Sequence, residues 1–362
     1  MTSLARSLVL ALPLALLACD APQDPSNGND LGNTGNGKDS GGGNVDMTGG
    51  GTVDMTTGNN NHGMLAKHVI TGYWQNFNNG AKVLKLADVP TSYDIIAVSF
   101  ADANPAKQGA VSFTLDSGLA SSLGGYTDAQ FKADVQTAHG KGQKVIISVG
   151  GQNGTISVSD TTSAGNFADS INALMQSYGF DGVDIDLENG INAQFMGMAL
   201  HQIATKAGAG FVLTMAPQTI DMQSTGVEYF KLALAVKDVL TIVNMQYYNS
   251  GTMLGCDGKV YGQGGVDFLT ALACIQLQSQ LRPDQVGLGV PASTSGAGSG
   301  YVAPTIVNNA LDCLARGTNC GTFTPGMQWG AIRGAMTWSI NWDASNNYAW
   351  ANAVHGHFSA LP

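Results

Sequence analysis

Three carboxylates stand at alternate positions in Phe180-Asp181-Gly182-Val183-Asp184-Ile185-Asp186-Leu187-Glu188. Side chains along a strand point to opposite faces in turn, so Asp184, Asp186 and Glu188 share one face and Val183, Ile185 and Leu187 the other. Same-face neighbours lie about 6.6 Å apart, and ionised carboxylates at that spacing are costly inside a low-dielectric core. One proton held between Asp184 and Asp186 would relieve the repulsion. Glu188, at the C-terminal end, has the reach and the slightly higher reference pKa that suit a general acid. Asp181 has the wrong parity to join the file and reads as structural.

Two other readings compete: a solvated edge strand, and an acidic cluster that binds a metal. Composition weighs against both, since the chain has 24 Asp but only two Glu, one of them at this strand end. A metal site would draw ligands from several elements. No Cys-x-x-Cys or His-x-x-x-His spacing occurs, so neither metal nor cofactor is expected.

The elements that must position this file recur along the chain. Short apolar runs occur at His68–Trp74, Asp94–Phe100, Lys144–Val149, Gly182–Leu187, Phe211–Met215, Thr241–Tyr247, Val286–Val290 and Ile332–Trp338. Helical spacing lies between several of them, as in Phe167–Met175 and Phe268–Leu277. Thr127–Ala138 opens with the capping-box pattern Thr-x-x-Gln. Eight strand–helix units predict an α/β fold, a (β/α)8 TIM barrel, whose chemistry sits at the C-terminal strand ends. An open doubly wound sheet is the alternative, but no Gly-x-Gly-x-x-Gly follows the first strand.

With these residues in place, a resemblance becomes specific. Asp181-Gly182-x-Asp184-x-Asp186-x-Glu188 is similar to the active-site signature of glycoside hydrolase family 18, chitinases and related enzymes on a (β/α)8 barrel. Ser148-Val149-Gly150-Gly151 looks like the family's Ser-x-Gly-Gly. Met215-Ala216-Pro217-Gln218, Met245-Gln246-Tyr247-Tyr248-Asn249 and Trp338 follow in the family's order. The resemblance covers residues 66–362 as one catalytic domain. It implies hydrolysis of β-1,4 linkages between N-acetylglucosamine units with retention, the substrate's 2-acetamido oxygen serving as nucleophile. Glu188 would be acid and then base, and Asp186 would hold the acetamido N–H. Asp184 would tune Asp186, and Tyr248 would orient the acetamido carbonyl. Trp338, Gln246, Met215, Tyr73, Trp74, Ser148, Gly150 and Gly151 are assigned to the substrate face. Core packing competes for Tyr73 and Trp74, and a hydrogen bond to the aspartates from beneath for Ser148.

The chain departs from deep-cleft members of that family. Asn249 follows Tyr248 where they commonly carry Asp, and the connection from Val290 to Ile332 leaves no room for a large insertion domain. A more open groove and endo cleavage are therefore expected. The same signature also fits an endo-β-N-acetylglucosaminidase acting on the chitobiose core of N-glycans. A chitinase-like lectin, which binds without cleaving, would typically lack one of the carboxylates present here.

Composition and the chain's N-terminal segment bound the rest. A net charge of -10 without any dense basic stretch disfavours nucleic acid as a partner. Residues 1–18 read as an export signal, with Arg6 before the apolar run Leu8–Leu17, too short to span a bilayer. Leu16-Leu17-Ala18-Cys19 resembles a bacterial lipobox, which would lipidate Cys19 and leave an exported, surface- or periplasm-facing protein; ordinary cleavage after Ala18 would leave a secreted one. Residues 20–64 contain no aromatic side chain and are rich in Gly, Asn and Thr, the composition of a disordered tether. In an exported protein the remaining cysteines suggest two disulfides, with the sequence-local pairing Cys256–Cys274 and Cys313–Cys320 expected among three connectivities. A monomer acting on chitin or chitooligosaccharides, touching membrane only through the anchor, completes the expectation.

Overall fold

All eight apolar runs are strands in the computed structural model, which describes residues 65–362. The export signal, Cys19 and the tether at 20–64 lie outside the described residues. The strands are β1 Val69–Gln75, β2 Ile95–Ala103, β3 Lys144–Gly151, β4 Gly182–Leu187, β5 Val212–Met215, β6 Ile242–Gln246, β7 Val286–Pro291 and β8 Gly334–Trp338. Each pairs in parallel with its neighbours, and β8 returns to pair with β1, Val69 opposite Gly334. The sheet therefore closes into a (β/α)8 barrel.

Helices α1 Ser117–Ser122, α2 Asp128–Gly140, α3 Thr161–Tyr178, α4 Ala193–Ala207, α5 Glu228–Ala235, α6 Val266–Gln278, α7 Pro304–Arg316, α8 Ile340–Ser345 and α9 Ala349–His357 lie between or after the strands. The capping box read at Thr127 is present: Thr127 N donates to Gln130 Oε1 at 2.9 Å and Gln130 N to Thr127 Oγ1 at 3.2 Å. Two groups otherwise left unpaired at the helix start are thereby satisfied. Helix α2 then buries Phe131, Val135 and Ala138 against the barrel wall, where a fully buried side chain of Phe or Val size contributes about 1.5–3 kcal/mol.

Period-two alternation divides the apolar residues into two layers. Ile70, Trp74, Val145, Ile147, Val183, Ile185, Leu213 and Met215 point outward to the helices. Val69, Tyr73, Ile95, Ala97, Ile146, Val212, Ile242 and Met336 fill the barrel interior. Both expected disulfides form, Cys256–Cys274 and Cys313–Cys320. The first ties α6 to the hairpin Thr252–Leu254/Val260–Gly262 that follows β6. Between β7 and β8 the described chain holds a Gly/Ser-rich loop and α7, without an inserted domain.

Candidate active site

The carboxylate file of β4 runs from the barrel interior to its C-terminal mouth. Asp184 is fully buried, Asp186 is 4% exposed, and Glu188 is half-buried at the edge of a cleft of about 680 Å³. The cleft is walled by the ends of several strands and the loops that follow them, as barrel topology dictates.

Asp184 takes hydrogen bonds from three hydroxyls on three other strands. Tyr73 of β1 and Ser148 of β3 donate to Oδ2 at 2.8 and 2.7 Å, and Thr214 of β5 donates to Oδ1 at 2.5 Å. Burial pushes its carboxyl up, and the three donors oppose that rise. Asp186 has less help. Burial, then the charges of Asp184 and Glu188, drive its carboxyl well above the usual range, against one bond from Gln246 Nε2 to Oδ1 at 2.8 Å. Of the two, Asp186 is pushed up further, because Asp184 has three hydroxyl donors and Asp186 a single amide. No Asp184–Asp186 hydrogen bond is present among the described residues. The Glu188 carboxyl is also raised, mainly by burial and further by Asp221, while the amides of Gln246 and Gln218 favour its ionised form. The Gln218 Nε2–Glu188 Oε2 distance is 3.3 Å.

The floor is aromatic. Trp338, at the end of β8, lines the cleft and stacks on Phe100 with centroids 5.8 Å apart and planes 16° apart. Tyr73 packs beneath Trp338 at 5.4 Å. The Ser99–Phe100 and Trp338–Ser339 peptide bonds are cis. Gly150 and Gly151 line the cleft at φ of 128° and 72°. Any Cβ at Gly150 would run into the backbone of Asp186, and one at Gly151 into the Phe100 ring at 2.8 Å. Glycine is required at both by backbone angle and by space. Tyr248 lines the cleft with its hydroxyl making no hydrogen bond among the described residues; burial and then Asp186 and Glu188 push that hydroxyl well above its ordinary value.

Other residues assigned to substrate contact are placed differently. Trp74 is fully buried on the outer face, its Nε1 donating to the Leu84 carbonyl and its ring packing on Phe131. Met215 is likewise buried outward, since its neighbour Thr214 is the inward residue of β5. Tyr73 and Ser148 face inward but lie below the cleft, holding Asp184. Strand parity would have separated Trp74 from Tyr73 and Met215 from Thr214. Asp181 sits at the opposite end of β4, bound to His139 Nε2 at 2.8 Å, Lys144 Nζ at 3.0 Å and Val145 N at 2.8 Å.

Besides Thr214 on β5, two participants outside the strands escaped the sequence reading. The Tyr229 hydroxyl, from α5, donates to the Ile185 carbonyl at 2.8 Å and accepts from Leu187 N at 3.0 Å, so it grips the backbone on either side of Asp186. Asp221 lies in the short turn Thr219–Met222 beside Gln218. Neither falls in a strand or a recognisable pattern; only the folded chain brings them to β4.

Comparison with known proteins agrees with this geometry. The family model described as glycosyl hydrolases family 18 matches residues 69–358. Chitinase Chi52 of Paenibacillus xylanexedens is 36% identical over 342 residues, covering 84% of this chain and 64% of the relative; the chain thus spans less than two thirds of that protein's length. A solved Streptomyces coelicolor protein assigned as Chitinase A is 64% identical, with a TM-score of 0.79 over 82% of this chain and 99% of the other. A family GH18 chitinase structure from Chromobacterium violaceum is 34% identical, with a TM-score of 0.73 over 81% and 84% of the two chains.

Proposed function

The chain belongs to family 18 of the glycosyl hydrolases, and from that premise we propose that it is a chitinase, cleaving β-1,4 links between N-acetylglucosamine units with retention. The observation that carries this reading is the graded file on β4: Asp184 held by three hydroxyls, Asp186 above it on one amide with its carboxyl pushed well up, and Glu188 at the cleft edge. Asp186 and Glu188 reach a sugar from the same side, which suits attack by the substrate's own acetamido oxygen rather than by a second carboxylate across the bond.

Glu188, whose proton affinity is raised by its burial, gives its proton to the glycosidic oxygen as the bond to C1 breaks. The acetamido oxygen closes on C1, forming a positively charged oxazolinium ring. Asp186 accepts the acetamido N–H, and as positive charge builds its own proton is drawn toward Asp184, so that a negative charge faces the ring. Stabilisation by a group already in place costs no reorganisation at that moment. Tyr248 offers its free hydroxyl to the acetamido group, Gln246 fixes the Asp186 carboxyl, and Trp338 floors the sugar. Glu188, now ionised, takes a proton from the water that opens the ring from the same face. Gly150 and Gly151 keep the wall open.

The short β7–β8 connection supports an open groove and endo cleavage. The lipobox-like Leu16-Leu17-Ala18-Cys19 and the segment at 20–64 support export of a monomer on a lipid tether. The test is incubation of the purified protein with N-acetylchitohexaose, resolving products and anomers over time, beside Glu188→Gln. Early β-anomeric di- to tetramers are expected, with a loss of at least about a hundredfold in the variant. An untouched hexamer from the wild type would sink the chitinase reading, and tight binding without cleavage would make the protein a sugar binder.

A further inference from the structure

After β5 the chain turns through Gln218 and the short helical turn Thr219–Met222, directly beside the mouth of the barrel. Asp221 closes this turn on Gln218 from both sides: its Oδ2 accepts from Gln218 N at 3.2 Å, and its own N donates to the Gln218 carbonyl at 3.1 Å. The preceding Pro217 carbonyl accepts from Gln246 N at 2.8 Å, so the turn is also pinned to β6. Thus fixed, the Gln218 amide reaches Glu188 Oε2. Asp221 does not line the cleft, although Gln218, Thr219 and Ile220 of the same turn do.

We propose that Asp221 is a positioning residue for the acid: it locks Gln218 in the turn after β5, holds that amide against the Glu188 carboxyl, and gives the carboxyl a fixed negative neighbour. The inference rests on Glu188 being the acid. The titratable groups that act on Glu188 are Asp186 from its own strand, Asp221 from this turn and Tyr248 from the end of β6, while Asp102 near the end of β2 lines the same cleft. No Lys, Arg or His lines the cleft among the described residues. The two members of the clamp therefore act on the Glu188 proton in opposite senses. The Asp221 charge disfavours ionisation, and the Gln218 amide favours it.

A general acid works while protonated, so activity falls as pH rises through its pKa. Asp221→Asn keeps an oxygen for Gln218 N but removes the charge; the alkaline limb of kcat/KM should move down by about half a pH unit. Gln218→Ala should move the same limb up. Asp221→Ala, which also frees the turn, should lower turnover of N-acetylchitohexaose about tenfold. It should spare an aryl chitobioside whose phenol leaves without a proton, because only the poor leaving group needs the acid in place. Equal losses on both substrates, or limbs of Asp221→Asn and Gln218→Ala that stay with the wild type, would overturn the proposal and leave Asp221 structural. A wild-type protein inactive on both substrates would instead overturn the chitinase reading itself.

Discussion

Strand β4 carries acidic side chains at both ends, and their surroundings differ in kind. At the N-terminal end Asp181 meets Lys144, His139 and the Val145 N–H. Burial alone would push its carboxyl up, but His139, the Val145 N–H and Lys144 together hold it below its usual value. Further along the same strand Asp186 meets two other carboxylates and one amide, and its carboxyl rises well above the usual range. Partners supplied at one end are withheld at the other. The lower end tethers β4 to β3 and α2; the upper end raises the proton affinity of a carboxyl next to the place where a positive charge would form. Strain of that kind at a site is offset by the rest of the fold.

The comparison can be broken most forcefully at Asp186. Asp186→Asn keeps the acceptor for Gln246 but cannot become negative, so turnover of N-acetylchitohexaose should fall about a hundredfold or more. Thermal unfolding at neutral pH should nevertheless occur at an equal or higher temperature than in the wild type, since a buried carboxyl that resists ionisation has been removed. A clear drop in Tm would mean that Asp186 is a structural anchor after all.

Asp181→Ala is the converse test. Losing this half-buried carboxylate leaves Lys144 and the Val145 N–H without their partner, a cost of about 2 kcal/mol in denaturant unfolding. At temperatures where the variant is folded, kcat/KM should stay within about twofold of wild type, because this residue only anchors the strand. A selective collapse of activity with unchanged stability would erase the distinction between the two ends.

The smallest effect is the pH dependence of those two stabilities. The Asp181 pKa is lowered by folding, so its contribution is present above the unfolded value and lost as pH falls through the folded one. The Asp186 pKa is raised, so its contribution is present below the unfolded value and lost as pH rises toward the folded one. The destabilisation in Asp181→Ala and the stabilisation in Asp186→Asn should therefore both be largest near pH 7. Both should shrink as unfolding curves are taken to about pH 4, near the reference pKa of Asp. Either difference staying constant or growing between pH 7 and pH 4 would refute the opposite pKa shifts at the two ends.

Much of this was legible before folding because it depends on local periodicity. Alternation along 181–188 put the three carboxylates on one face whatever the rest of the chain did, and Thr127 with Gln130 marked a helix start within four residues. Where the reading erred, at Trp74 and Met215, it set parity aside in favour of motif position. Tyr229 and Asp221 gave no such signal, since an ordinary tyrosine on a helix and an aspartate in a turn acquire meaning only from what they touch.

By itself, then, the sequence determined the eight strand–helix units, the face on which Asp184, Asp186 and Glu188 lie, and the glycines that face them, because these follow from backbone period and steric size. Only the closed barrel decided that Tyr73, Ser148 and Thr214 converge on Asp184, that Gln246 meets Asp186, and that Gln218 reaches Glu188. Those contacts join strands distant in the chain, and they set the proton affinities on which the chemistry depends. Burial and neighbouring charge shift a carboxyl through space, and spatial neighbours exist only once the sheet has closed.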